Sequence, residues 1–299
     1  LLQITQAEEN IVPSNTPNVE ERLVAAIEPW LAHMAWRKDF EAWRERRIWQ
    51  EKHQGENVRD VRRALMQVAG KMLLDLGAGM GGLSVALMRE LCPEGLRLQA
   101  MDYNPDYCRI AKLRAERYGL RLPILVAAGE SLPYAAEAFD MVVCLDVLEH
   151  VADAGLVLSE IYRVLKPGGV ALTTVPNRHA FRDPHYHLPL INWLPRRLAE
   201  KIVEARGRSK SGGMLHDRQG LSELNTYSWG DFKRLASGQG FRVRDQVYAR
   251  ISKGEIRQLH GWRRGLLGVA GRLGLLSPLY RLYRYGWQGT YQIMLVKPR

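Results

Sequence analysis

A short apolar run, Met72-Leu73-Leu74-Asp75-Leu76, leads into Gly77-Ala78-Gly79-Met80-Gly81-Gly82, and a helical pattern of Leu83, Val85, Ala86 and Leu87 follows. A strand that turns through glycines into a helix suits a nucleotide cofactor. The glycines let a ligand approach the backbone, and the first helical turn offers free N–H groups. Gly77, Gly79 and Gly82 also satisfy the dinucleotide spacing G-x-G-x-x-G, and Asp102, 23 residues after Gly79, suits ribose hydroxyls in either class of cofactor. Asp75 separates the two. A carboxylate at the tip of the first strand repels a pyrophosphate and suits a ligand with a positively charged amino group.

A second group of reactive side chains lies further on. His179, Asp183, His185, Tyr186 and His187 crowd into nine residues, and His150 closes the run Asp146-Val147-Leu148-Glu149-His150. Histidine is the side chain best placed to take a proton near neutral pH. His150, His185 and His179 are therefore the candidate catalytic residues, with hydrogen bonding within the loop as the plainer role. A metal set from Asp183, His185 and His187 is a weaker reading, and no metal is assigned.

The elements that must position these groups follow from periodicity. Strand-like runs at 96–101, 123–127, 139–145 and 170–175 alternate with helical ones at 105–118 and 154–165, which predicts an α/β, doubly wound parallel sheet. Before it, residues 1–70 form a polar tail and a helical segment, where Trp36, Phe40 and Trp43 make a stripe that either docks on the core or covers substrate. The core spans 71–176, and its alternation then stops. Residues 177–227 read as a substrate-cap insertion, and 228–250 resume the core with a helix at 229–237 and a strand at 241–248. Residues 251–289 read as a basic amphipathic insertion, and 290–299 supply the last strand.

The ordered motifs resemble those of class I S-adenosylmethionine-dependent methyltransferases, of the small-molecule type with a core like the quinone-pathway enzymes. Residues 73–81 are similar to the first motif, Met101-Asp102-Tyr103-Asn104 to the ribose-binding step, and Gly129-Glu130-Ser131-Leu132-Pro133-Tyr134 to the adenine loop. The run from Phe139 to Val151 is similar to the fourth strand and its loop, and Leu165-Lys166-Pro167-Gly168-Gly169 to the turn before the fifth. The resemblance implies a seven-stranded Rossmann-like sheet with helical cap insertions, and S-adenosylmethionine as cofactor. It implies that Asp75 reaches the cofactor amino group, directly or through water. Gly77, Ala78, Gly79 and Gly81 shape the methionine pocket, and Asp102 takes the ribose hydroxyls. Tyr103 and Gly129 meet the adenine, and Leu145 borders the sulfonium. Ala128 stands where many relatives carry Asp, which leaves Glu130 or backbone to meet the adenine amino group.

Several acceptors are disfavoured. The Asn/Asp-Pro-Pro-aromatic run of amino-methylating DNA enzymes is replaced by Leu145-Asp146-Val147, and none of Cys92, Cys108 and Cys144 follows a proline as a cytosine-C5 nucleophile would. The expected reaction is O-methylation of a small-molecule, glycan, lipid-linked or quinone-like acceptor. The rival readings are an RNA methyltransferase and a non-catalytic cofactor-binding scaffold.

Across 299 residues, 46% hydrophobic and 25% charged content excludes disordered and collagen-like classes. Three cysteines without metal spacing suit a reducing, cytoplasmic compartment. Of the net charge of +11, the last 58 residues hold twelve Lys and Arg against Asp245 and Glu255. Such a concentration implies an anionic partner. Around Trp262 to Leu276 and Tyr280 to Trp287, arginines alternate with apolar runs. That pattern fits a helix on the inner face of a membrane, a helix packed on the core, or a less favoured nucleic-acid track. The uncharged stretches there fall short of the roughly 18 residues a span needs. No oligomeric state is read from the sequence.

Overall fold

The computed structural model describes residues 18–206, 220–252 and 274–299. Strand β1 (Met72–Leu76) lies between β2 (Arg97–Asp102) and β4 (Phe139–Cys144), with β3 (Ile124–Val126) outside β2 and β5 (Leu165–Pro176) outside β4. These five strands are parallel. β7 (Thr290–Val296) runs antiparallel between β5 and β6 (Arg242–Asp245), which completes a seven-stranded sheet in the order 3-2-1-4-5-7-6. The α/β doubly wound fold expected from the alternation is present, but its sheet is mixed rather than wholly parallel. The chain leaves β6 at the carboxyl edge and re-enters at the same edge, with Thr290 opposite Pro176, so β7 can only pair antiparallel.

β1 and β4 are apolar at nearly every position because both faces of the sheet are covered. Leu74, Val142 and Cys144 pack under α6 (Ala154–Val164) and α8 (Trp229–Gly238). Leu73, Met141 and Val143 pack under α3 (Gly55–Leu65), α4 (Gly82–Glu90) and α5 (Pro105–Glu116). Helix starts are set beside strand ends by short polar side chains. The Asn104 side chain accepts from Asp106 N at 2.9 Å, and Asp153 accepts from Gly155 N at 2.7 Å.

The helical segment expected within residues 1–70 resolves into α1 (Val19–Leu31), α2 (Phe40–Ile48) and α3, joined by tight turns. One buried cluster clamps this segment to α5. The Arg114 guanidinium, fully buried, meets Glu51 at 2.5 Å and donates to Met80 O at 2.8 Å, Ile48 O at 2.7 Å and Arg47 O at 3.0 Å. Arg117 and the Tyr118 hydroxyl donate to the other Glu51 oxygen at 2.9 and 2.8 Å. Burial alone would raise the Glu51 pKa, but the facing Arg114 charge and the hydrogen bonds turn the net shift downward.

Beyond β5, the cap carries α7 (Arg196–Ala205) and a small core of its own built on Tyr186, Leu188, Ile191, Val203 and Leu221. The strand predicted at 241–248 stops at Asp245. There the Asp245 carboxylate accepts from Tyr248 N at 3.0 Å and turns the chain into α9 (Gln246–Ser252). Of the basic insertion, residues 253–273 lie outside the described residues, and α10 (Leu276–Gly286) precedes β7. Buried Asn177 ties α10 to the cap, donating to Arg284 O, Tyr285 O and Gln288 O at 3.0, 3.1 and 2.8 Å.

Candidate active site

The strand order reverses between β1 and β4, and a crevice opens at the carboxyl edge of the sheet at such a point. A cavity of about 770 Å³ lies there. The glycine loop forms one wall. Gly77 holds φ +73°, and a Cβ added to it would sit 2.2 Å from the Val147 side chain, so only glycine allows the β4 loop to close over β1. Gly79 faces open space, with nothing within 4 Å of where a Cβ would be. Gly77 N and Ala78 N both donate to Met101 O, at 2.8 and 2.9 Å, which ties the loop to the end of β2.

Asp102 is the pivot of this wall. One carboxylate oxygen accepts from Gly79 N at 2.7 Å and the other from Asn104 N at 2.9 Å. Each oxygen keeps lone-pair capacity toward the cavity it lines. Burial raises its pKa, with the two backbone donors opposing. Tyr103, Ala128, Gly129 and Glu130 continue the wall, and Glu130 accepts from Ala152 N at 3.2 Å.

The opposite wall belongs to the β4 loop and the cap. Asp146 holds φ +56°, and Thr174 Oγ1 accepts from its N–H at 2.7 Å and donates to its carboxylate at 2.8 Å. This strained residue sits at the cavity edge, where such backbone is held by its surroundings. The rings of His150 and His185 meet edge-on with centroids 6.0 Å apart. His185 is presented by a turn in which buried Asp183 accepts from His185 N at 2.9 Å and Tyr186 N at 2.6 Å. Glu149, 1% exposed, also borders the cavity, and its Oε2 has no hydrogen-bond partner among the described residues. Burial, and then the Asp146 charge, push its pKa up to about 8.

The residues singled out from sequence divide by position. Gly77, Gly79, Asp102, Tyr103, Gly129, Glu130, His150 and His185 line the cavity. Asp75, Ala78, Gly81, Leu145 and His179 are not part of its lining. Asp75 is buried and takes the Ser84 hydroxyl at 2.5 Å. Burial above all pushes its pKa up to about 6, the Ser84 bond opposing and the Asp102 charge adding. Gly81 packs α4 against Ala111 of α5. His179 stacks on Tyr285 at 4.8 Å.

Sequence reasoning quotes Glu149 only within the acidic-x-x-Glu-His run that ends at His150, as part of a metal reading it does not adopt, and of the N-terminal wall of the cavity it singles out only Trp43. Trp30, Met34, Arg37, Trp43 and Arg47 reach the mouth, with the Trp30 ring 4.6 Å from that of Tyr107. The Arg37 and Arg47 guanidinium carbons lie 5.6 and 5.4 Å from the centre of the Trp43 ring. The aromatic stripe was the available signal, and of its three members Trp43 is the one that lines the cavity.

Comparison with known proteins bears on this arrangement. A family model described as a methyltransferase domain matches residues 74–173. The chain is 32% identical over 151 residues to a ubiquinone biosynthesis O-methyltransferase of Azorhizobium caulinodans, covering 48% of this chain and 55% of that protein. It is 34% identical over 159 residues to the enzyme of the same name from a Methylobacterium species, covering 50% of this chain and 61% of that one. The match thus spans little more than half the length of these relatives. Residues 74–173 form a class I S-adenosylmethionine-dependent methyltransferase domain. A Galdieria sulphuraria protein assigned as a sarcosine dimethylglycine methyltransferase shares the fold, with a TM-score of 0.50 at 16% identity over 92% of this chain and 98% of that one.

The cofactor of the methyltransferase domain is S-adenosylmethionine, and the cavity wall fits it. Asp102 offers acceptor capacity for two adjacent hydroxyls, and the open space above Gly79 admits a ligand against the backbone. Tyr103, 57% exposed, presents a ring face beside Asp102 that an adenine can cover.

Proposed function

We propose that this chain methylates an oxygen of a small-molecule acceptor of quinone-like or lipid-linked character, in the cytoplasm and at the inner face of a membrane. The observation that carries the reading is the shared cavity: the Asp102–Gly79 bridge borders it on one side and the His150–His185 pair on the other. The cofactor supplies a methyl group on a sulfonium, an electrophile that needs no further activation. Asp102 and the glycine loop orient that ligand, and Trp30 and Trp43 add apolar surface to the cavity lining. As the acceptor oxygen forms its new bond to carbon, transfer would break the methyl–sulfur bond, its electron pair returning to sulfur as a neutral thioether, while the acceptor's hydroxyl proton passes to an imidazole of His150 or His185. The names of the relatives support oxygen as the methylated atom. The free Cys92, Cys108 and Cys144 suit a reducing compartment.

The test is transfer of a labelled methyl group to a panel of hydroquinones, catechols, glycans and RNA. Methylation of a phenolic hydroxyl is expected, with His150→Ala and His185→Ala each lowering kcat about tenfold or more while cofactor affinity holds. A product methylated on nitrogen or on RNA would overturn the acceptor class. No product in any pool, with the cofactor bound, would favour a scaffold.

A further inference from the structure

We propose that the outward face of α10, with the aromatic cluster beside it, is a docking surface for an anionic phospholipid bilayer. The proposal deepens the membrane part of the function above by naming the residues that make the contact. It starts from an inversion in α10. The side of this helix that faces the protein is polar: the Tyr280 hydroxyl donates to Asp245 at 2.9 Å and Arg284 pairs with Asp245 at 3.2 Å. The side that faces solvent carries an apolar stripe. Leu275, Leu279 and Leu282, at the i, i+4, i+7 spacing of one helix face, are 42–61% exposed.

At the end of α10 lies a group of rings contributed by both the helix and the cap. Phe181 stacks on Trp287 at 6.3 Å and meets Trp193 edge-on at 6.4 Å, and Tyr285 covers His179. Phe181, Trp193, Tyr285 and Trp287 are 40–67% exposed. Exposed apolar and aromatic side chains gathered on one helix and the adjoining cap mark an interaction site, and exposed Trp and Tyr favour the headgroup layer of a bilayer.

Charge selects among occupants. Arg182, Arg197 and Arg281 lie on the same cap and helix, are exposed, and form no ion pair among the described residues. Anionic headgroups complement them, whereas a twofold contact with a second copy would bring like charges together. The cap loop that carries Phe181 also carries Pro184, His185 and His187 into the cavity, so one segment faces both the patch and the site.

The test uses the full chain in flotation with vesicles of phosphatidylcholine alone and of phosphatidylcholine mixed with phosphatidylglycerol. The wild type is expected to float with the mixed vesicles and to release at high salt. Leu279→Gln/Leu282→Gln/Trp287→Ala should bind about tenfold or more weakly with an unchanged melting curve, since these side chains are exposed. Arg182→Gln/Arg281→Gln should lose the preference for the anionic mixture. Unchanged flotation of the folded leucine–tryptophan variant, or no flotation of the wild type, overturns the proposal. A wild type that is dimeric in light scattering and becomes monomeric in the leucine–tryptophan variant gives the face to a second copy and also overturns it. Because flotation is read without methyl transfer, either proposal can fail while the other stands.

Discussion

Replacing Glu51 by Ala removes the carboxylate that holds the N-terminal helices on the methyltransferase domain. The Arg114 guanidinium would stay buried with only the carbonyls of Arg47, Ile48 and Met80, and Arg117 and Tyr118 would each lose a partner. Breaking a buried ion pair from one side costs about 3–5 kcal/mol. At roughly 2 °C per kcal/mol for a chain of this length, Tm falls by about 6–10 °C. Urea unfolding followed by tryptophan fluorescence gives the energy. The same loss loosens α2, so affinity for S-adenosylmethionine, measured by calorimetry, should fall as the Trp43–Arg47 wall moves from the mouth. Because the folded pKa of Glu51 is lowered, its contribution is present above the unfolded value of 4.5 and is lost as pH falls through the folded one. The double variant Glu51→Ala/Arg114→Ala should lose at least about 1 kcal/mol less than the sum of the single losses. Strict additivity, or a loss under about 1 kcal/mol in Glu51→Ala, would refute the clamp.

Asp102→Asn keeps the shape of the wall but replaces one acceptor oxygen by a donor, and cofactor affinity should fall about 10- to 100-fold, at about 1.5–3 kcal/mol for hydrogen bonds to a charged group. Calorimetry checks this, and an unchanged Kd would remove Asp102 from the ribose site. Glu149 holds its proton more tightly folded than unfolded, so wild-type stability should decline as pH rises from 4.5 to about 8, by at most about 1.4 kcal/mol per pH unit. Glu149→Gln should flatten that decline in urea titrations at several pH values, and a parallel decline in the variant would place its cause elsewhere.

How much of this was legible in the chain depends on range. The run from Leu73 to Gly81 announces a strand, a tight turn and a helix because each is encoded by neighbours, and Val147 against Gly77 adds the reason for glycine only in three dimensions. The alternation of strands and helices likewise yields the doubly wound class from local periodicity. The antiparallel entry of β7 was not legible. It follows from which sheet edge the chain re-enters, and no residue of Thr290–Val296 encodes that.

The candidate site divides in the same way. Spacing alone offered His150, His179 and His185, and folding brings the first and third to ring centroids 6.0 Å apart while His179 stacks on Tyr285. Trp43 and Arg47 reach the cavity because Glu51 finds Arg114, 63 residues away, and that pairing has no periodic signature. Asp75 reads as a cofactor ligand from its place beside the glycines, and only the fold shows that its carboxylate also takes the Ser84 hydroxyl in α4. Amino-acid order determined the fold class, the glycine loop and the acidic end of β2, since those depend on hydrogen bonds and apolar faces a few residues apart. Tertiary packing decided which polar groups share the cavity and which apolar side chains of α10 are exposed among the described residues, since both depend on how distant segments are brought together.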